Sequence, residues 1–477
     1  MGVNLKRPIL VGGVGLSFAL YLLQGWHNSV AALGEYSVVG AIALLSGLWL
    51  FKQYRFKGAV QLDNAPTDRA TVEKAIAQAE SVVSHLETEA QNHQVNSDLR
   101  QRIAQLHTQL DRQEIHSAVT GGKAVGKSTL IQVLSDWVSP IQTLCWSETP
   151  ALFTDTDNQS LKAAIASDLV LFVTNGDLTD SEYQVLQQLA TNQRLVLVFN
   201  KQDQYLPDER AAVLHSIQQR MQPLLKAEDV VAIAASPSPI LVRQYQTDDT
   251  AQEWIEERSP QITQLTTQLS QILVQSGQQL VWATTKRAAD NLKAEAKTVL
   301  NQVRRDRALP IVEQYQWIAA AAAFANPVPA LDLLATAAIN AQLVIELGAI
   351  YQQKFSLQQA QEVAGTMGSL MLKLGLVELS TKAVSTVLKS NAVTFVAGGV
   401  VQGVSAAYLT RLAGYSLIEY FQQQEVEAST TGLNLDKLGQ TLQNVFVQNQ
   451  QMAFLQGFVK QSVGRLSPQS PQPQLNA

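Results

Sequence analysis

The sequence holds a single cysteine, Cys145, among 477 residues. One thiol excludes a disulfide framework, and no thiolate zinc site is expected from it. Histidine is also scarce. The six present (His27, His85, His93, His107, His116 and His215) include no i,i+4 pair of the kind that ligates a metal from one helix face. Metal-hydrolase chemistry is therefore not expected. Charge is scarce as well, at 16% of residues against 46% hydrophobic. That balance is too apolar for a disordered chain and too poor in charge for an ordinary soluble one. The 35 basic and 40 acidic side chains leave a formal net charge of −5, so there is no global basic field and nucleic acid is not an expected partner.

What the chain has instead is apolar sequence gathered in blocks. Ile9–Trp26 and roughly Leu33–Phe51 are each long enough to cross about 30 Å of hydrocarbon. Trp26, Tyr36 and Trp49 stand near their ends, as in an aromatic belt. Lys6 and Arg7 precede the pair, and Lys52, Arg55 and Lys57 follow it. The positive-inside rule then puts both ends in the cytoplasm. Residues 1–57 are expected to form an N-terminal transmembrane hairpin. A cleaved leader ending at Ser29-Val30-Ala31 and a buried helical hairpin are the alternatives.

Residues 58–113 predict a helical stalk or hairpin. Val72, Ile76, Ala79, Val83 and Leu86 form one stripe, Ile103, Leu106 and Leu110 another, with a break near Asn92–Asn96. From 114 to 242 strands and helices alternate, as in a parallel α/β sheet. The unbroken apolar runs Leu169–Val173 and Leu195–Phe199 predict strands buried on both faces. After Pro239 the pattern reads as helical: long amphipathic helices over 243–307, an Ala/Gly-rich domain over 308–421, a C-terminal helix over 422–465 and a disordered tail over 466–477. Asn326-Pro327-Val328-Pro329 should interrupt the helices. Ser390–Thr410 is uncharged and long enough to span a bilayer, and Gly365, Gly368, Gly398, Gly399 and Gly403 would permit close helix approach. A soluble bundle is the alternative.

The strongest motif is Gly121-Gly122-Lys123-Ala124-Val125-Gly126-Lys127-Ser128, which follows a predicted strand and leads through Thr129 into a predicted helix. Backbone N–H groups can wrap phosphate oxygens there. Lys127 reaches the β and γ phosphates, and the Ser128 hydroxyl can ligate Mg²⁺. Asn200-Lys201-Gln202-Asp203 follows the strand Leu195–Phe199. A carboxylate at Asp203 can accept from the N1–H and exocyclic amine of guanine, a pair that adenine does not offer.

These two motifs resemble those of the translation-factor-related GTPases, particularly the Era-like branch, over residues 114–242. Ala124-Val125-Gly126-Lys127-Ser128-Thr129-Leu130 is similar to that branch's N-V-G-K-S-T-L, with Ala124 in place of Asn. The resemblance implies an α/β P-loop GTPase domain inside an otherwise all-α chain, with GTP or GDP and Mg²⁺ as ligands. The family's D-x-x-G best fits Asp155-Thr156-Asp157-Asn158, which would make Asp155 a water-mediated magnesium holder and Gln159 a water-orienting residue. Ala235 would present its N–H to guanine O6. Thr143 and Thr149 are the candidates for a switch threonine, neither within a motif. The segment with Asn326-Pro327-Val328-Pro329 and Asp332 is similar to the C-terminal domain of YcjF-type bacterial membrane proteins.

The combined reading is a GTP-binding protein integral to the cytoplasmic or another internal membrane, with its nucleotide domain in the cytoplasm. The bilayer is one partner and a protein effector another. It is read as a slow GTPase whose nucleotide state switches the helical domains. A non-hydrolysing nucleotide-gated scaffold and a dynamin-like membrane-remodelling GTPase are the alternatives, and a second copy of the chain, in a homo-oligomer, is a further candidate partner.

Overall fold

The structure, a computed structural model, describes residues 67–449 apart from 91–92, 138–141, 155–156, 246–250, 326–328, 380, 383–384, 386–397 and 425–433, together with residue 458. The expected transmembrane hairpin, the tail and the first eight residues of Ser390–Thr410 lie outside the described residues. Among the described residues no helix is long and apolar enough to cross a membrane.

Two helices, α1 (Arg69–Glu89) and α2 (His93–Leu110), come first. Asp68 caps α1 by accepting from the Thr71 N–H at 2.9 Å, which satisfies one of the donors a helix start leaves free. The stripes read from the sequence are buried: Val72, Ile76, Val83 and Leu86 pack with Leu99, Ile103, Leu106 and Leu110.

A five-stranded sheet follows. Its strands are β1 (Ile115–Gly121), β2 (Leu144–Glu148), β3 (Leu169–Thr174), β4 (Arg194–Phe199) and β5 (Val230–Ala232), all parallel in the order β2-β1-β3-β4-β5. The helices between them are α3 (Lys127–Ser135), α4 (Asp157–Ile165), α5 (Asp180–Asn192) and α6 (Pro207–Met221). Every side chain of β3 is buried, and the unbroken apolar runs have a simple cause. Val170, Phe172, Leu197 and Phe199 face a core shared with Leu186, Leu189 and Ile217. Leu171, Val173, Val196 and Val198 face the other, with Leu130 and Leu134. Each such side chain contributes roughly 1.5–3 kcal/mol by leaving water.

After Pro239 the chain does not become helical at once, contrary to expectation. It forms an antiparallel ribbon of β6 (Ile240–Tyr245) and β7 (Ala251–Glu256), with Leu241 opposite Ile255 and Arg243 opposite Glu253. The two strands lie close in sequence, but neither alternates apolar with polar residues, so the pairing leaves no single-segment signature to read. The helix α7 then runs unbroken from Thr263 to Ala325, about 95 Å at 1.5 Å per residue. It passes through the expected boundary at 307/308 and includes Pro310. An interior proline costs about 3 kcal/mol. Here the flanking Ala308 and Val312 are buried in the next core, and tertiary packing holds the helix.

That one helix takes part in three cores. Leu265, Leu269, Ile272 and Val281 lie under the sheet, Ala289, Leu292 and Leu300 under α1 and α2, and Val312, Tyr315 and Ala320 in a bundle. The bundle adds α8 (Pro329–Ile350), α9 (Leu357–Lys373), α10 (Gly398–Gln423) and α11 (Leu435–Asn449). Close helix approach occurs at Gly414, where a Cβ would lie 2.6 Å from Val312 Cγ2. Gly365 and Gly368 do not serve that purpose, since a Cβ on either meets open space.

Candidate nucleotide site

β1 turns into α3 through the glycine-rich loop. Gly121 has φ 146°, and a Cβ there would sit 2.2 Å from the carbonyl oxygen of Val173. Gly126 has φ 96° and precedes the first residue of α3. Between them Ala124 takes φ 59°, a left-handed conformation that asparagine tolerates better than alanine. The Asn-to-Ala departure from the Era-like pattern therefore falls where it strains the backbone.

Lys127 is buried, and its Nζ donates to the carbonyls of Gly121 at 3.2 Å and Gly122 at 2.8 Å. Desolvation lowers its pKa from the ordinary lysine value, against an opposing effect of the Glu148 carboxylate. Ser128 is exposed and Thr129 half-buried on the first turn of α3, while Lys123 is exposed on the loop. The free N–H groups and positive end of α3 complete an anion-binding arrangement.

The second motif closes on this loop from β4. Asn200, 2% exposed, donates from Nδ2 to the Val125 carbonyl at 3.0 Å and accepts at Oδ1 from the Ala235 N–H at 3.0 Å. Lys201, at φ 60°, donates from Nζ to the Ala124 carbonyl at 2.8 Å. Asp203 lies in a 3-10 turn at Gln202–Gln204. Its Oδ2 accepts from the Ser238 N–H at 2.9 Å, while its Oδ1 is buried without a hydrogen-bond partner. An unpaired buried carboxylate oxygen is costly unless a ligand supplies donors. The Ala235 N–H, read from the sequence as the donor to guanine O6, is engaged by Asn200. Ser236, next along, is exposed.

The third element falls partly outside the described residues. Asp155 lies outside the described residues, and Gln159 is exposed in the first turn of α4. A different carboxylate stands beside the loop. β2 runs parallel to β1 with Val119 opposite Glu148. Glu148-Thr149-Pro150-Ala151 lines an open pocket of roughly 480 Å³ together with Lys123, Ala124 and Lys127. The segment E-T-P-A thus leaves the strand next to the glycine-rich loop and brings a carboxylate, Glu148, to its pocket. A search for a literal D-x-x-G misses it; its position directly after a strand is the signal that could have found it.

Neither threonine candidate is placed to act as a switch. The Thr149 hydroxyl donates to Thr120 Oγ1 at 2.8 Å in the interior. Thr143 precedes β2, and its carbonyl accepts from the Ile115 N–H at 2.9 Å, at the end of β1 opposite Gly121. The chain between α3 and β2 is confined to residues 136–143.

Sheet order and loop geometry define a parallel α/β domain with a glycine-rich strand-to-helix loop, joined by one long helix to a helical bundle. The family described as a domain of unknown function, DUF697, matches residues 287–451, which begin inside α7 and cover most of the bundle. No curated protein matches the chain. Among solved structures, an oligomerised bacterial dynamin pair, described as providing a mechanism for the long-range sensing and tethering of membranes, is 12% identical. The alignment covers 83% of this chain and 78% of that one, with a TM-score of 0.25. LeoA, a bacterial dynamin GTPase from ETEC, is 10% identical over 84% of this chain and 98% of its own, with a TM-score of 0.21. Similarity at that level carries no argument about activity.

Proposed function

We propose that this chain is a membrane-associated GTP-binding protein and a slow GTPase, whose nucleotide state biases the helical bundle through α7. The observation that carries the reading is Asn200, which ties the phosphate loop at Val125 to the loop after β5 at Ala235. It brings Asp203 to the same site with one buried oxygen unpaired. Asp203 would accept from the guanine N1–H and amine, and the Ser236 N–H would meet O6 in place of Ala235. On triphosphate binding Lys127 would exchange two carbonyl partners for β and γ phosphate oxygens. Mg²⁺ would neutralise charge on those oxygens. The exposed Ser128 hydroxyl fits as its ligand, and Glu148, which lines the pocket with Lys127, would serve as the carboxylate beyond it.

Membrane association rests on the apolar stretches within residues 1–57. Coupling to the bundle rests on α7, which buries Leu265, Leu269, Ile272 and Val281 against the sheet and Ala308, Val312, Tyr315 and Ala320 in the bundle. A protein effector would read that coupling. The short 136–143 connection, the engaged Thr149 hydroxyl and Ala151 in place of glycine favour a second reading, a nucleotide-gated scaffold without turnover.

Titration of the full chain in nanodiscs with GTP, ATP and XTP plus Mg²⁺ tests both readings. GTP is expected to bind more tightly than ATP, and Lys127→Ala to weaken all three. Turnover on the same samples separates slow enzyme from scaffold. Equal binding of ATP and GTP by folded protein would overturn the guanine assignment.

A further inference from the structure

We propose that Glu114, His116 and Cys145 form a binding site for a borderline-soft divalent metal ion of the zinc class, at the β1–β2 edge of the sheet. The expectation against such a site rested on the single cysteine and on the lack of an i,i+4 histidine pair; the sheet instead gathers a mixed set of donors, one of each kind, at two strands. β1 and β2 pair in parallel with His116 directly opposite Cys145, so both side chains emerge on one face of adjacent strands. Glu114 immediately precedes β1. Cys145 Sγ lies 3.6 Å from Glu114 Oε2, and one donor atom from each of the three residues falls within 4.8 Å of the others.

Metal–ligand distances of 2.0–2.3 Å place the donors of a tetrahedral zinc site about 3.3–3.8 Å apart. The sulfur and the carboxylate already meet that spacing. The remaining closure, on the order of 1 Å, is within reach of Glu114 and His116, which are exposed. The donor set decides the class of ion. Thiolate, imidazole and carboxylate together suit zinc, whereas calcium and magnesium take oxygen ligands. Three protein donors leave a fourth position for water.

The frame beneath these side chains is fixed by hydrogen bonds centred on the buried Asp168. The His116 N–H donates to Asp168 Oδ2 at 2.7 Å, and the His116 carbonyl accepts from the Asp168 N–H at 2.8 Å. Arg112 grips Asp168 with two bonds, of 2.8 and 3.0 Å, and also donates to the Glu114 carbonyl. The guanidinium charge beside the site is thereby matched by a buried carboxylate. Support of this kind holds ligands in geometry. The nucleotide site uses the opposite ends of the same strands, Gly121 and Glu148, so the two sites are separate. Burial, with the Glu114 carboxylate, raises the Cys145 thiol above its ordinary range, so metal binding would release its proton.

The test is titration of the tag-free full chain with Zn²⁺ and with Co²⁺ as a spectroscopic stand-in. One equivalent is expected to bind, with a thiolate-to-cobalt charge-transfer band. That band should vanish in Cys145→Ser, and His116→Ala should weaken Zn²⁺ binding by more than about 100-fold, beyond the loss typical of an outer-shell change. Glu114→Gln should weaken it as well. The wild-type thermal midpoint should rise with Zn²⁺ while that of His116→Ala does not. Since His116 and Glu114 are exposed, their variants should fold and keep GTP binding even if Cys145→Ser does not. No binding, binding without the charge-transfer band, or binding unchanged in His116→Ala and Glu114→Gln would overturn the site. A thiol–carboxylate hydrogen bond alone would then remain.

Discussion

A Cβ placed on Gly126 would lie 2.4 Å from the side-chain nitrogen of Asn200. The glycine of the phosphate loop and the asparagine after β4 thus occupy adjoining space, and the absence of a side chain on one admits the other. Gly126→Ala would meet both this clash and a positive φ, a strain of about 1–3 kcal/mol. Triphosphate binding is expected to be lost while the thermal midpoint drops by roughly 5 °C. Retention of GTP affinity in that variant would show that the loop does not need this approach.

Asp203→Asn keeps an oxygen for the Ser238 N–H but replaces the buried acceptor with an amide donor. Hydrogen bonds to a charged partner contribute about 1.5–3 kcal/mol. GTP affinity should fall by about 10- to 100-fold, and XTP should become the preferred nucleotide. Competition binding with the three nucleotides measures this; an unchanged order of preference would remove Asp203 from the base site.

Glu148 and Asp155 make opposite predictions. If Glu148 is the carboxylate that holds the metal's water, Glu148→Gln should weaken the Mg²⁺ dependence of GTP binding by about tenfold, one lost charge-assisted contact. Asp155→Asn should leave it unchanged. Affinities measured across a magnesium series decide between them, and the reverse result would favour the reading made from sequence.

Lys127 sets an alkaline limit. Its folded, ligand-free pKa is lowered by desolvation, while a bound triphosphate favours the ammonium form. Affinity should therefore be flat below that lowered pKa and decline as pH rises through it, sooner than an ordinary lysine would allow. Glu148→Gln, by removing the charge that acts against the shift, should move the decline to lower pH. Isothermal titration across a pH series reads both effects, and a flat alkaline profile would count against Lys127 as the phosphate contact.

Arg304 of α7 holds Glu89 of α1 in a buried pair at 2.7 Å, its side chain 4% exposed and that of the glutamate 11%. Arg307 and Gln352 also contact Glu89. Breaking the pair with Arg304→Met should destabilise the protein by about 3 kcal/mol, because a buried carboxylate loses its principal partner. Adding Glu89→Leu should recover most of that loss. Thermal unfolding of the single and double variants measures the coupling; additive losses would show that the pair contributes nothing specific.

Much of the fold could be read in advance because its signals are local. The stripe from Val72 to Leu86, the apolar runs of β3 and β4, and the glycine loop each declare their structure within a few residues. The helical break around Asn326–Pro329 is equally local, and α7 ends at Ala325 as α8 begins at Pro329. Pro310 carries the same kind of signal and no break results, since packing in the bundle outweighs it. The β6–β7 ribbon escaped because pairing of Leu241 with Ile255 is invisible to a helical or alternating pattern within one segment.

The sequence by itself determined the glycine-rich loop, the N-K-x-D turn after a strand and the alternation of strand and helix, because each depends on backbone requirements and periodicity along a short stretch. The tertiary structure alone decided what these elements meet. It engaged Ala235 with Asn200, set Glu148 beside Lys127, took Thr149 into the interior, and brought His116 opposite Cys145. Parallel strands bring together residues far apart in the chain, and their register is set by hydrogen bonds between backbones.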